Sequence, residues 1–209
     1  MHLYLAIAAM TMLAAVATGR PVVAPPVAQA SLSCGERSHI SWGNRGSMAL
    51  EGRASPYDSV TISVGDAAAK VCYGRPSVRE RQIFGALIPY DTLWRTGANE
   101  PTTIHLPFAA EIAGLAVAPG SYTIYSVPGR ETWSIIVNRS TSQWGLESDY
   151  TPEVRAQEIG RAPVPSRRTP AFVETFTISA QPTGTSSAEL LIDWENTRVA
   201  VPIVRVTSP

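Results

Sequence analysis

The chain has 209 residues, of which 16% are charged, with 17 Lys or Arg balancing 17 Asp or Glu. That length supports one domain with a sizeable core, and a net charge of zero leaves no field to hold nucleic acid or an anionic lipid surface. Every basic residue except Lys70 is Arg, a side chain suited to flat, bidentate pairing with carboxylate or phosphate.

Residues 1–20 open the chain with an apolar run. Leu3 to Ala17 is broken only by Tyr4 and Thr11, and no charged residue precedes Arg20. The pattern reads as a helical export signal or a membrane anchor. Ala28-Gln29-Ala30 fits a small-x-small cleavage site, which favours a signal peptide. Met1 to Gly19 falls just short of the roughly 20 apolar residues of a spanning helix, which keeps the anchor reading open. Both place the globular part outside the cytoplasmic membrane. It is released into the periplasm if the leader is cleaved, and held on the periplasmic side through residues 3–19 if it is retained. Residues 21–53 read as a linker, first Pro-rich and extended, then rich in Gly and Ser. The domain is expected over 54–209.

From Ala54 the rhythm is β. Ser59 to Val64 alternates apolar and hydroxyl residues, as a half-buried strand does. Ala69 to Tyr73 follows the Gly65-Asp66 turn signal. Thr102 to Leu106 is a short strand after a long connection. Ser121 to Val127 and Thr132 to Asn138 flank Pro128-Gly129 as a hairpin. Phe172 to Ser179, Ala188 to Trp194 and Arg198 to Val206 are three further strands, the last two joined by Glu195-Asn196-Thr197. Pro202 predicts an edge or a bulge. Helix is sparse: one turn within Arg79 to Leu87, and a short helix over Pro152 to Ile159, with Thr151 as N-cap and Pro152 at its first position. Ala162 to Pro170, with three prolines, reads as a loop or distorted edge. The sum is all-β: a single antiparallel β-sandwich, immunoglobulin-like or jelly-roll-like.

Two cysteines and three histidines are too few and too scattered for a structural zinc site. Cys34 and Cys72 form either a disulfide, suited to an oxidising compartment, or leave Cys72 a buried thiol. His105 is the only histidine of the domain, between core-directed Ile104 and Leu106, so it points away from them. No Ser–His–Asp device is available around it. Asp193 and Glu195, with Asp91 and Glu100, supply carboxylates but no spacing that pairs them. No catalytic residue, metal or cofactor is assigned.

The richest stretch is Tyr73 to Glu100, a long connection without helical or strand period, dense in Arg and aromatic residues. Its candidate ligand-binding residues are Arg75, Arg81, Trp94, Arg95, Asn99 and Glu100. Read as a pocket, Arg95 holds an anion, Asn99 and Glu100 orient it, and Trp94 walls it off. Read as a brace, Arg95 pairs with Glu100 or Asp91, Trp94 fills the core and Gly97 turns the chain. The brace is the simpler reading, because a long loop on a sandwich needs internal hydrogen bonds.

The motifs Tyr73-Gly74-Arg75-Pro76, Arg81 to Gly85, Ile88-Pro89-Tyr90, and Trp94 to Glu100 with Thr102 resemble the bacterial family known as domain of unknown function 2911. The likeness continues through Ala118 to Tyr125, Val127-Pro128-Gly129, Trp133, Asn138 and Gln143-Trp144-Gly145. It closes with Trp194-Glu195 and Val201-Pro202-Ile203. Two features depart from the family pattern: the less polar Val71-Cys72 and the Pro-rich Glu158 to Pro170. The resemblance implies a β-sandwich that is exported or anchored, and implies no activity. The near-spanning segment Leu3–Gly19, the extended Pro-rich spacer and the absence of catalytic equipment set the expectation: a non-enzymatic accessory subunit of a larger membrane protein complex, with protein partners. The alternative is a soluble periplasmic module binding a small anion or glycan near Arg95–Glu100.

Overall fold

The computed structural model describes Cys34 and residues 52–206. The leader and nearly all of the linker lie outside the described residues. Among those described, no helix is long and apolar enough to cross a membrane.

Nine strands follow in chain order: β1 (Tyr57–Val64), β2 (Ala67–Gly74), β3 (Thr102–Leu106), β4 (Ala110–Ile112), β5 (Leu115–Val117), β6 (Gly120–Val127), β7 (Thr132–Asn138), β8 (Glu158–Pro182) and β9 (Ser187–Arg205). One short helix, α1 (Pro152–Arg155), precedes β8. The strands form one antiparallel sheet in the order β1-β2-β3-β6-β7-β8-β9-β4-β5. Two separate stacked sheets were expected. Instead β8 hands the ladder over. Its first part pairs with β7, from Glu158↔Asn138 to Pro165↔Thr132, and from Ser166 onward it pairs with β9. The result is sandwich-like, because both halves of the sheet bury residues in one core. Ile62, Val71, Ile104, Ile124 and Ile135 come from one half, and Phe176, Ile192, Trp194 and Val201 from the other.

Local chemistry explains where the pattern held and where it did not. β1 and β2 close on Gly65-Asp66, with Gly65 at φ 65°. Thr151 caps α1 through its Oγ1, which accepts from Val154 N at 3.4 Å, with Pro152 in the first turn; the helix is four residues long, shorter than expected. Arg79 to Leu87 does not make a helical turn. Arg79 (φ 48°) and Glu80 (φ 59°) are left-handed, which interrupts helical geometry. Ala162 to Pro170 is strand, not loop. Ala162 and Val164 are buried while Pro163 and Pro165 face out, a period of two. Residues Glu158 to Pro165 have a ladder on the β7 side only, the edge-like setting that tolerates proline. β9 is one strand and not two. Glu195 takes φ 51° within it, and its carboxylate accepts from Ile83 N at 2.9 Å and Phe84 N at 3.4 Å. The β4–β5 hairpin was not foreseen. It turns on Ala113 (φ 49°) and Gly114 (φ 82°), a geometry that alanine does not signal. Pro202 sits beyond the last β8 partner at Val199, as its missing donor requires.

The two halves are also stitched by a side chain. The Tyr73 hydroxyl, on β2, accepts from Ile178 N at 3.1 Å and donates to Ile178 O at 3.2 Å on β8. Tyr73→Phe strands both backbone groups in a buried position and is expected to cost about 1–3 kcal/mol in denaturant unfolding.

Candidate functional site

The connection from β2 to β3 begins where Gly74 presses on the turn ahead of it. A Cβ on Gly74 would overlap the Ala98 carbonyl oxygen. The chain then runs alongside β8, with Val78 N donating to Glu174 O and Phe176 N to Pro76 O, both at 2.8 Å. Further on it is laid against β6 as a single rung. Trp94 N donates to Ser126 O at 2.8 Å, and Ser126 N to Trp94 O at 2.9 Å. The turn that follows is left-handed at Thr96 (φ 53°) and Asn99 (φ 64°), on either side of Gly97 at φ 158°. Thr102 Oγ1 donates to Thr96 O at 2.6 Å, and Thr96 Oγ1 shares a hydrogen with Ser126 Oγ at 2.9 Å.

This scaffold places the six candidate residues in different surroundings. Trp94 is buried and its Nε1 donates to Gly97 O at 3.1 Å. Its ring stacks on Trp194 (5.9 Å, 18°) and meets Phe84, Trp133 and Phe176 edge-on. It fills the core. Arg75 ties the crossover to two strands, β1 and β8: Nη1 donates to Asp58 Oδ2 (3.0 Å), Nε to Phe176 O (3.3 Å) and Nη2 to Thr177 Oγ1 (3.2 Å). Arg81 caps its own loop through Val78 O (2.9 Å) and Ser77 O (2.7 Å). Asn99 Nδ2 donates to Ser55 O at 3.4 Å. Glu100 takes Arg53, not Arg95, as its ion-pair partner, at 2.7 Å.

Arg95 is left half-buried. Its Nη1 donates to Asn99 O at 3.4 Å, and it has no carboxylate at ion-pair distance among the described residues. Burial pulls its pKa down, while Tyr125, Glu147, Asp149 and Glu100 pull it back. Gly145 lies against it so closely that a Cβ there would overlap Arg95 Cδ and Asn99 O.

Around Arg95 lies a polar network that residue-by-residue reading did not assign as a site. Thr123 and Tyr125 of β6 and Asn138 of β7 are buried yet belong to the face turned away from the core, which Tyr122, Ile124 and Val137 fill. Gln143 Nε2 donates to the Tyr125 hydroxyl at 3.1 Å and to Ser140 O at 3.2 Å. Ser140 Oγ donates to Gln143 Oε1 at 2.7 Å. Asn138 Nδ2 donates to Val154 O at 2.7 Å and to the Tyr150 hydroxyl at 3.2 Å. That hydroxyl donates to Glu158 Oε1 at 2.8 Å, and Arg161 closes the chain on Glu158 at 2.7 and 2.8 Å. The signal for this network was the hydroxyl alternation at Thr123 and Tyr125. It showed an outward face, but not that residues 139–157 cover it.

Burial pushes the Tyr150 pKa up to about 12 and that of Tyr125 higher still. A raised tyrosine pKa stabilises the fold below the unfolded value near 10 and loses that contribution as pH climbs through the folded value. Alkaline titration of stability is thus expected to fall steeply between about pH 10 and 12, and Tyr150→Phe to flatten the fall.

The remaining candidates are dispersed. Asp193 is held by Arg198 at 2.6 and 2.7 Å, while Glu195 and Glu100 have the partners given above. His105 points away from Ile104 and Leu106, its Nδ1 2.7 Å from Ser121 Oγ. Among the described residues, no group of three or more His, Cys, Asp or Glu is placed to hold a metal. Cys34 and Cys72 are joined in a disulfide, Cα to Cα 5.7 Å.

Comparison with curated proteins and with solved structures returned no match. The model of the family described as "Protein of unknown function (DUF2911)" matches residues 55–203. That span runs from just before β1 nearly to the end of β9, so it takes in the crossover, the Arg95 network and both halves of the sheet. The chain belongs to the DUF2911 family.

Proposed function

We propose that this chain is a non-enzymatic accessory subunit of a larger membrane protein complex on the periplasmic side, its domain a β-sandwich of immunoglobulin-like or jelly-roll-like kind. The observation that carries this reading is the use made of the crossover. Its Trp94, Glu100, Arg75, Arg79 and Arg81 side chains are engaged within the domain, which suits a rigid scaffold offered to protein partners. The Cys34–Cys72 bond suits an oxidising compartment. Residues 3–19, if retained, provide the membrane attachment; if they are cleaved, the domain works in the periplasm. Membranes from the native source, solubilised in mild detergent, test this. The reading expects the chain to migrate with other proteins at fixed stoichiometry. Recovery of the domain alone, with no protein migrating with it, would sink it.

A second reading is favoured by Arg95 alone. Its guanidinium keeps one long hydrogen bond and no ion pair, so a small anion or an acidic glycan near Arg95–Glu100 would complete it. A thermal-shift screen over carboxylates, phosphates and acidic sugars, repeated on Arg95→Ala, tests this. A stabilising ligand whose effect survives the substitution excludes the site.

A further inference from the structure

Cys72 is 1% exposed, yet it lies outside the main hydrophobic cluster. Its neighbours Val71 and Tyr73 point into the core, so its Sγ leaves the opposite face of β2. On that face its cross-strand partners are the hydroxyl residues Ser59 of β1 and Thr103 of β3. Cys34, by contrast, is half-buried. The two ends of the bond are therefore unequal: Cys34 is the less buried residue and Cys72 the more shielded. The strand beneath does not depend on the bond. β2 pairs along its whole length with β1, pairs again with β3, and is tied to β8 through the Tyr73 hydroxyl. Arg53, at the start of the domain, has a side chain 3% exposed and paired with Glu100.

We propose that the Cys34–Cys72 disulfide is a redox-released staple: a dithiol reductant opens it while the sheet stays folded, freeing residue 34 from the outer face of β2 and leaving Cys72 there as a thiol. The reductant's thiolate attacks Cys34 Sγ, the sulfur–sulfur bond breaks, and Cys72 leaves as thiolate and takes up a proton. The reductant's second thiol then displaces Cys34 from the mixed disulfide. Two electrons and two protons pass to the protein, and the dithiol becomes a disulfide. The ion pair Arg53–Glu100 is untouched by this chemistry.

The test uses the full chain in native buffer with dithiothreitol as the dithiol. Near-ultraviolet circular dichroism reads the Trp94–Trp194 cluster, and mass spectrometry follows alkylation of Cys72. The proposal expects an unchanged aromatic spectrum. It also expects Cys72 to be alkylated at least tenfold faster than the protein unfolds globally. Cys34→Ser, which leaves Cys72 unpaired without any reductant, is expected to label at the same rate. Three results would overturn the proposal: a bond reduced only in denaturant, an aromatic spectrum lost on reduction, or a folded Cys34→Ser protein whose Cys72 stays unreactive.

Discussion

Trp94→Ala is expected to destabilise the domain by about 4 kcal/mol, within the range seen for large aromatic residues emptied from a core. Trp94 touches four other aromatic rings, drawn from the crossover, β7, β8 and β9. Its removal therefore opens a cavity between the two halves of the sheet, where no single element can move to fill it. The indole N–H to Gly97 O bond is lost as well, which unties the turn that carries Asn99 and Glu100. For a domain of this size the loss lowers Tm by roughly 10 °C. Trp94→Phe keeps most of the ring packing and is expected to cost about half as much. Denaturant unfolding followed by far-ultraviolet circular dichroism checks both. A loss below about 1 kcal/mol for the alanine variant would mean that Trp94 lies outside the core.

Arg53→Ala is the second large effect. Arg53 and Glu100 meet at 2.7 Å with side chains only 3% and 8% exposed. Deleting the guanidinium leaves a carboxylate buried without its counter-charge, at a cost of about 3–5 kcal/mol. The pair itself contributes far less than that, because both charges lose their hydration on burial. Arg53→Met combined with Glu100→Gln is accordingly expected to be milder than Arg53→Ala alone. Chemical denaturation of Arg53→Met, Glu100→Gln and the double variant separates the terms. A double variant as unstable as the sum of the singles would show that the two residues act independently.

How much was legible from residues alone follows from what each signal depends on. The strand at Thr102–Leu106 and the one at Thr132–Asn138 were read to their end residues, because period-two alternation is a local consequence of one buried face. The cap at Thr151 was equally local. For Ala162 to Pro170 the residues allow both a loop and a distorted edge, because proline reports a missing donor, not whether a neighbour needs it. Only the topology, in which β9 joins β8 at Ser166, makes that donor dispensable. The turn at Ala113 and the kink at Glu195 were invisible for a related reason: each is held by partners distant in sequence, such as the Pro202 carbonyl for Ala113 N and the Ile83 and Phe84 amides for Glu195. The candidate site was legible as a region and not as a set of partners. Glu100 and Arg95 are five residues apart, and proximity in sequence suggested a pairing that Arg53 occupies instead.

The account rests on the long crossover being scaffold. Native-state hydrogen exchange tests this most directly, read at the amides of Ile88, Trp94 and Thr102, which donate to Ile83 O, Ser126 O and Arg95 O. The account expects these amides to exchange only with global unfolding, at the protection found in β2 and β6. Exchange orders of magnitude faster than in those strands, with β2 and β6 still protected, would show a segment that opens on its own and would contradict it.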